Sequence, residues 1–292
     1  MPSLPVLPRF CYFLVLFCGL LGWTEVRAEA PPVTVQKDLA YKAGEGLTAY
    51  EQERCRLDLY LPAGQKSFPT LVWLHGGALT SGTKDDGSVV AVARHFAGAG
   101  VAVACVNYRL SPLAKYPAGI ADTAAAFAWV QQHIAEHGGD PSRLFLGGHS
   151  AGGYLTLMVG LDARYLKVHG LDTTAIAGLV PVAGQTLTHY SIREERGLPK
   201  DRIIADEAAP LHHVRKDSPP MLILYAENDM AMRAQENELL AAALRHAGHT
   251  GTTLRMIKGH DHGSVGNALA LPGDEGFAAV MKFILPEKPH RP

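Results

Sequence analysis

The sequence predicts an α/β fold with a doubly wound, mostly parallel sheet, and three observations carry this prediction. Short β-rich runs alternate with longer helical patterns along roughly 200 residues, which is the order of elements in such folds. Several of the runs are almost continuously apolar, as strands are when helices cover both faces of a sheet. The 292 residues are 47% hydrophobic and 19% charged, which is enough apolar sequence for a large core.

The strand and helix patterns also indicate where functional residues are expected. Strands are predicted at 54–61, 70–75, 101–108, 144–148, 177–182, 221–226 and 252–257. One helix has Ile120 and Phe127 on its apolar face, with Gly138 and Gly139 as a stop signal. A second helix is predicted at 232–247. Because a doubly wound sheet binds ligands at the carboxyl ends of its strands, functional residues should directly follow these runs.

One long stretch, at about 185–219, has no clear period and is rich in charge, proline and histidine. A segment of that length inside a compact domain is usually functional, so we expect a cap or lid rather than a second domain. The six charged residues within 193–201 make it too polar for the broad apolar lid of an enzyme that works at a lipid surface. Tyr190, His212 and His213 either line a pocket under the cap or form ordinary loop surface.

The first 28 residues are predicted to be a secretory signal peptide. Arg9 precedes an apolar run of about 14 residues, and the small residues Ala28 and Ala30 follow, which is the layout of a cleavable signal. A membrane-spanning helix needs roughly 20 apolar residues, so stable membrane insertion is not expected. Cleavage after Ala28 is preferred, because Pro31 would directly follow a cut after Ala30. We expect residues 29–292 to form a single secreted or periplasmic domain.

Charge and cysteine content narrow the class of protein. The formal net charge is −1 and the chain has no long basic run, so a nucleic-acid partner is not expected. Cys11 and Cys18 lie in the predicted signal, which leaves Cys55 and Cys105, each in an apolar strand-like stretch. These two are either buried unpaired thiols or one disulfide. Two cysteines without a histidine cluster do not make a zinc site, and no metal or other cofactor is expected.

The strongest local motif is G-x-S-x-G at 148–152. Its central residue, Ser150, follows the strand at 144–148 and precedes the apolar helical run 154–161. A serine on such a sharp strand-to-helix turn projects its hydroxyl over the sheet edge, and the flanking glycines leave room for the turn. The motif therefore predicts that Ser150 is a nucleophile.

A second motif, His-Gly-Gly-Ala at 75–78, ends the strand at 70–75. Backbone N–H groups of Gly77 and Ala78, together with that of Ala151, can point at one spot and stabilise an oxyanion. A third glycine is usual where Ala78 stands. Because alanine keeps its N–H, we expect the oxyanion hole to persist with a slightly narrower acyl side.

A nucleophilic serine needs a base, and in this fold the chain order is Ser, then Asp or Glu, then His. Asp229 is preferred as the acid because its position places it in the turn after the strand at 221–226; Glu227 is the alternative. His262 is preferred as the base over His260, and both lie in a loop just past the last predicted strand. A metal site at this histidine pair would need further ligands.

These residues lie in motifs that resemble those of the α/β-hydrolase superfamily, from about residue 50 to 284. The specific resemblance is to the esterase branch related to hormone-sensitive lipase and bacterial feruloyl-type carboxylesterases. It implies His262 as the base and Asp229 as the acid. Two positions depart from the pattern: Ala78 replaces the third glycine, and His149 stands where lipase-like relatives often carry Asp. The motifs, in chain order, are HGGALTSG from His75, VNYRLSP from Val106, YPAGIADTAAAFAWV from Tyr116, GGDPSRLFLGGHSAGGYL from Gly138, APLHHVRKDSPPMLILYAEND from Ala209 and KGHDHGSV from Lys258.

The chemistry predicted from these residues is two-step ester hydrolysis through an acyl-enzyme. We expect a serine carboxylesterase that acts on short-chain or small soluble carboxylic esters. An amide-type hydrolase, formamidase-like or peptidase-like, on the same three residues is the alternative. A non-catalytic binding module is a third possibility, against which the presence of all three residues argues.

Overall fold

Residues 32–286, which the computed structural model of the protein describes, form one eight-stranded sheet covered by α-helices. The strands are β1 Val33–Ala40, β2 Arg56–Pro62, β3 Phe68–Leu74, β4 Ala102–Val106, β5 Gly139–His149, β6 Gly178–Val182, β7 Met221–Asn228 and β8 Thr252–Asp261. Their order in the sheet is β1-β2-β4-β3-β5-β6-β7-β8. The first two pairings are antiparallel and all others are parallel, which confirms the predicted fold class. The predicted signal peptide, with Cys11 and Cys18, lies outside the described residues.

Helices cover both faces of the sheet. Within the described residues they are α1 Ala49–Arg54, α2 Gly87–Gly98, α3 Ala118–His133, α4 Ala151–Leu161, α5 Arg164–Lys167, α6 Tyr190–Glu195, α7 Arg233–His246, α8 Ser264–Asn267 and α9 Glu275–Ile284. Along β3, Val72 and Leu74 belong to a buried cluster with α3 and α4, whereas Leu71 and Trp73 belong to a second cluster with α2. Burial on both faces explains the continuous apolar run of this strand. No helix within residues 32–286 has the length and apolarity required to span a bilayer.

All seven predicted strands occur, with shifted ends, and one strand was missed. The predicted strand at 54–61 begins only at Arg56, because Arg54 is the last residue of α1. This short helix starts with a capping box in which Thr48 and Glu51 satisfy each other's backbone N–H groups. Cys55 therefore ends a helix instead of lying in a strand, while Cys105 is in β4. Both are buried free thiols, so the disulfide alternative is wrong.

The stretch predicted as a cap contains one short helix, α6, and a 3-10 turn at Pro210–His213; most of the rest is irregular. It is anchored to the body of the protein by side-chain hydrogen bonds. The Tyr154 hydroxyl of α4 donates to the Ala208 carbonyl over 2.8 Å, and the Ser191 hydroxyl of α6 donates to the Ala78 carbonyl over 2.5 Å. The segment thus contacts both the helix after Ser150 and the loop after β3.

Candidate active site

Ser150 sits in a strained turn between β5 and α4. Its φ of 57° and ψ of −116° are sparsely populated by residues other than glycine, and such strain collects at functional sites. The flanking glycines are sterically required. A Cβ on Gly152 would lie 2.2 Å from the Leu74 carbonyl oxygen, and one on Gly148 would lie 2.6 Å from the Gly152 carbonyl carbon. The sequence therefore folds this turn only because both positions lack a side chain.

Three strand ends bring the serine, the preferred histidine and the preferred acid into one hydrogen-bonded chain. The Nε2 atom of His262 lies 2.8 Å from the Ser150 Oγ, and its Nδ1 atom lies 2.6 Å from the Asp229 Oδ1. Asp229 directly follows β7 and His262 directly follows β8. A proton can thus pass from the serine hydroxyl to the imidazole, whose other nitrogen faces a carboxylate.

The environment of Asp229 favours its ionised form. Burial alone would raise the pKa of this carboxyl, but hydrogen bonds outweigh burial and the pKa is lowered. The donors are His262 and the backbone N–H groups of Ala226, at 3.1 Å, and Met230, at 2.8 Å. An ionised carboxylate in this position orients the imidazole and stabilises its protonated form.

The alternative acid and base make other contacts. Glu227 accepts the Gly259 N–H over 2.9 Å and so joins the ends of β7 and β8. His260 lies in β8, with its Nε2 atom 3.5 Å from the Asp274 Oδ2. Neither side chain belongs to the series of hydrogen bonds that links Asp229 and His262 to Ser150. No group of three or more His, Cys, Asp or Glu within residues 32–286 is arranged to hold a metal ion.

The loop after β3 carries the residues predicted to bind an oxyanion. Gly77, at φ 107°, and Ala78, at φ 60°, have left-handed backbones, and a Cβ on Gly77 would lie 2.2 Å from the Ser81 carbonyl oxygen. Within residues 32–286 the N–H groups of Gly77, Ala78 and Ala151 donate no hydrogen bond. Ala151 is the first residue of α4, where the helix leaves N–H groups without internal partners. All three donors are therefore available to a ligand.

The sequence alone did not indicate a role for Tyr108, whose side chain contacts the start of the loop after β3. Its buried hydroxyl donates to the His75 carbonyl over 2.9 Å, and its ring stacks on the His75 imidazole with centroids 4.3 Å apart. Burial lowers the pKa of His75 to about 4, so the imidazole is neutral, and its Nδ1 lies 2.6 Å from the Gly76 carbonyl oxygen. The VNYRLSP motif contained the signal, since its tyrosine lies two residues after the buried strand β4.

His149, noted in the sequence only as a departure from the family pattern, contacts the candidate base. Its Nε2 lies 2.6 Å from the His262 carbonyl oxygen, which requires that this nitrogen carry the hydrogen and donate it. Burial, reinforced by the nearby His262, lowers the pKa of His149 to about 4. The neutral ring fits closely, because a Cβ on Gly266 would lie 2.6 Å from it. His149 therefore holds the backbone of His262.

A cavity of about 520 Å³ opens between the cap and α7. Tyr190, predicted as a lining residue, is in its wall, together with Met230, which directly follows Asp229. His212 and His213 are not in the wall. His213 instead has its Nε2 2.9 Å from the Glu207 carbonyl oxygen, and its ring packs edge to face against His212. Of the three proposed lining residues, only the tyrosine faces this space.

Comparisons with known proteins agree with the fold and point to esterases. The BD-FAE family model matches residues 57–178. The probable carboxylic ester hydrolase LipM of Mycobacterium tuberculosis is 32% identical over 185 residues, which are 58% of this chain and 43% of that protein. Carboxylesterase NlhH of the same organism is 44% identical over 103 residues, or 35% of this chain and 32% of that protein. The chain thus spans less than half the length of these curated relatives.

Solved structures extend the likeness over most of the chain. A truncated carbohydrate esterase from gut microbiota has a TM-score of 0.70 at 22% identity and covers 88% of this chain and 97% of its own. The hyperthermophilic esterase from the archaeon Pyrobaculum calidifontis has a TM-score of 0.65 at 25% identity, covering 86% of this chain and 84% of its own. The protein therefore has the α/β-hydrolase fold. Its sequence and structure are similar to those of esterases of the hormone-sensitive lipase-like type.

Proposed function

We propose that this protein is a serine carboxylesterase that hydrolyses small soluble carboxylic esters through an acyl-enzyme. The observation that carries the proposal is the chain of two hydrogen bonds from Ser150 through His262 to Asp229, at 2.8 Å and 2.6 Å. The similar proteins LipM, LipQ and NlhH are named as ester hydrolases or esterases, which supports the same reaction class. Fold alone would not, since one fold hosts many reactions.

In the first half of the proposed reaction, His262 takes the proton of Ser150 as Oγ attacks the ester carbonyl carbon. The resulting oxyanion accepts hydrogen bonds from the N–H groups of Gly77, Ala78 and Ala151. The imidazolium then donates its proton to the leaving alkoxide oxygen, which departs as the alcohol and leaves an acyl-serine. In the second half, water attacks the acyl group with the same proton transfers and regenerates the serine.

The test is hydrolysis of p-nitrophenyl acetate, butyrate and decanoate by the wild-type protein and by Ser150→Ala. We expect the wild type to act best on the two shorter esters and the variant to lose about 10⁴-fold or more in kcat. Ser142→Ala, a change of the same kind at a surface serine, should be as active as the wild type. Full activity of the Ser150 variant would refute the role of this serine.

The same experiment separates ester from amide hydrolysis when an arylformamide and a dipeptide are added. An amide-type enzyme would act on one of them with higher kcat/KM than on any ester, and that activity would also disappear in Ser150→Ala. No turnover of any substrate by folded wild-type protein would favour a binding function.

We also propose that the chain is exported, with residues 1–28 removed as a signal peptide and residues 29–292 forming the mature domain. Support comes from the N-terminal sequence alone. Expression of the full-length chain in a bacterium, followed by fractionation and mass spectrometry of the N-terminus, tests this directly. A mature protein that begins at Glu29 in the periplasm or medium is the expected result, and an uncleaved cytoplasmic protein would refute it.

A further inference from the structure

The cavity beside the cap contains a buried arginine that forms no ion pair within the described residues. Arg193, on α6, is 5% exposed and lines this cavity. Its guanidinium makes one hydrogen bond, from Nη1 to the Arg202 carbonyl, and its buried Nε has no partner within residues 32–286. No carboxylate of the described chain lies within 4.0 Å of it. Burial lowers the pKa of Arg193, yet an arginine keeps its charge in proteins.

The neighbouring arginine in the same wall shows what a compensated charge looks like. Arg233, also buried, donates from Nη1 to the Ala183 carbonyl over 2.8 Å. Its Nε has no hydrogen-bond partner within the described residues, like that of Arg193, but it lies 3.1 Å from the Glu236 Oε1 in an ion pair. The other carboxylate oxygen of Glu236 accepts the N–H groups of Thr186 and Leu187. Glu236 also attracts Arg193, so one carboxylate faces two buried arginines and a net positive charge remains.

The rim of the cavity does not supply the missing charge. Lys200 and Asp201 line it and are exposed, and Lys200 pairs with Glu194 over 3.0 Å. Asp201 is solvated and makes no ion pair within the described residues, and its charge raises the pKa of Arg193 by less than burial lowers it. A buried guanidinium without a partner is costly, and a bound carboxylate is the group that relieves this cost with two parallel hydrogen bonds.

Much of the remaining wall is apolar. Leu187, Ile203 and Met230 present hydrocarbon to the cavity. Met230 directly follows Asp229, and the wall also includes Gln185, three residues after the Val182 carbonyl that accepts the Ser150 N–H over 2.8 Å. A molecule in this space would therefore contact hydrocarbon, and the chain on two sides of the space leads directly to strand ends that carry the proposed catalytic residues.

We propose that this cavity binds a carboxylate carried by the substrate, so that the enzyme prefers esters with an anionic group on an apolar acyl or alcohol part. The inference rests on the proposed esterase function. Arg193 would bind the carboxylate, the apolar wall would bind the hydrocarbon, and the ester would lie over Ser150. Arg193 is then a specificity-determining residue and takes no part in bond making or breaking.

The test uses three esters and matched variants. Mono-p-nitrophenyl glutarate carries its carboxylate on the acyl side, 4-carboxyphenyl butyrate carries it on the alcohol side, and p-nitrophenyl butyrate is neutral. For each ester, kcat/KM of Arg193→Met is divided by that of the wild type, which cancels intrinsic ester reactivity. We expect at least one anionic ester to lose about 10-fold to 100-fold in this ratio, and the neutral ester less than about threefold.

Lys216→Met is the matched control, because it removes the same charge from an exposed position of the cap segment that is not in the cavity wall. It should change all three ratios by less than about threefold. Equal losses for anionic and neutral esters in Arg193→Met would overturn the inference while leaving the esterase proposal intact. Absence of wild-type turnover of all three esters would instead count against the proposed function.

A second measurement needs no variant and stays informative if Arg193→Met fails to fold. Free glutarate should inhibit wild-type hydrolysis of p-nitrophenyl butyrate competitively, and about tenfold more strongly than glutaramide, its neutral diamide. The advantage should persist in moderate salt, since a buried contact is screened less than a surface one. Equal inhibition by the two compounds would overturn the inference.

Discussion

The proposed catalytic residues and the cap both lie beside the loop after β3, but they are held in place by different means. Asp229 and His262 directly follow β7 and β8, whose last paired residues are Asn228 and Asp261, so the sheet register itself puts them side by side. The cap has one short helix and depends on isolated side-chain contacts such as that of Ser191 with Ala78. Backbone pairing thus sets the geometry of the proposed catalytic residues, whereas single side-chain contacts set the position of the cap.

This difference predicts opposite outcomes for two glycine-to-alanine changes. Gly152→Ala puts a Cβ 2.2 Å from the Leu74 carbonyl oxygen, so the turn that carries Ser150 must shift. We expect kcat/KM to fall by more than about 10³-fold, because small displacements of reacting groups are costly. Gly197→Ala, in the cap, meets no atom within 4 Å and has only its φ of 71° to strain it. Its esterase activity should stay within about threefold of the wild type, and comparable losses in both variants would contradict the comparison.

The buried histidines predict how stability depends on pH in the two regions. Burial lowers the pKa of His75 and His149 to about 4 and that of His189, in the cap, to about 3. The unfolded chain binds protons near pH 6.5 that the folded protein excludes, so the free energy of unfolding falls as the pH drops from about 6.5 to 4. One such histidine contributes on the order of 3 kcal/mol.

Denaturant unfolding at pH 7, 6, 5 and 4 measures this slope. His189→Gln removes the buried histidine of the cap, so the free energy of unfolding should depend less steeply on pH. The contributions of His75 and His149, at the ends of β3 and β5, remain. A wild-type stability that stays constant over this range, or a slope unchanged in the variant, would contradict the assignment of neutral buried rings.

A third change tests whether His149 holds the candidate base in place. His149→Ala removes the donor to the His262 carbonyl, and we expect kcat to fall by about 10-fold to 100-fold with little change in KM. His133→Ala is the matched control. That imidazole likewise lies 2.8 Å from a backbone carbonyl oxygen, of Trp129, but on α3 away from the site. A rise in KM with kcat unchanged, or equal losses of kcat in both variants, would argue that His149 does not position His262.

The proposed catalytic residues were foreseeable because each directly follows a strand that the local sequence pattern predicts, namely β5, β7 or β8. The strand that was missed, β1, offers no such pattern. Its register shifts between Gln36 and Leu39, and Asp38 has a left-handed φ of 58°, so the alternation of apolar and polar residues is broken. Helix α6 was missed because its six residues are too few to show a helical period.

The burial of a charged residue in the cap could not be predicted from the sequence either. The charged residues of 193–201 indicate a polar segment, yet Arg193 is buried while Lys200 and Asp201 are exposed. Charged side chains are mostly exposed, so no local pattern marks the exception. The burial of Arg193 follows from where α6 lies in the folded protein, beside the cavity that the cap shares with α7.

A fourth change weakens the contact between the two regions. Ser191→Ala removes the hydrogen bond to the Ala78 carbonyl, which should lower the free energy of unfolding by about 1 kcal/mol. Because that carbonyl belongs to the proposed oxyanion loop, kcat should also fall about threefold to tenfold. Ser218→Ala is the control, since its hydroxyl bonds the Arg215 carbonyl over 2.8 Å within the cap. Equal kcat in both variants would indicate that the cap does not steady the loop.

The smallest effect is expected at Ala78 itself. Ala78→Gly keeps the N–H that the proposed oxyanion hole uses, and glycine adopts the φ of 60° with less strain than alanine. Folded-state strain falls while the unfolded chain gains freedom, so the two effects on stability oppose each other. We expect kcat within about threefold of the wild type on p-nitrophenyl acetate and butyrate. A loss above tenfold would mean that the methyl group, and not only the N–H, positions the acyl group. The loop would then depend on side-chain packing, as the cap does, rather than on backbone geometry.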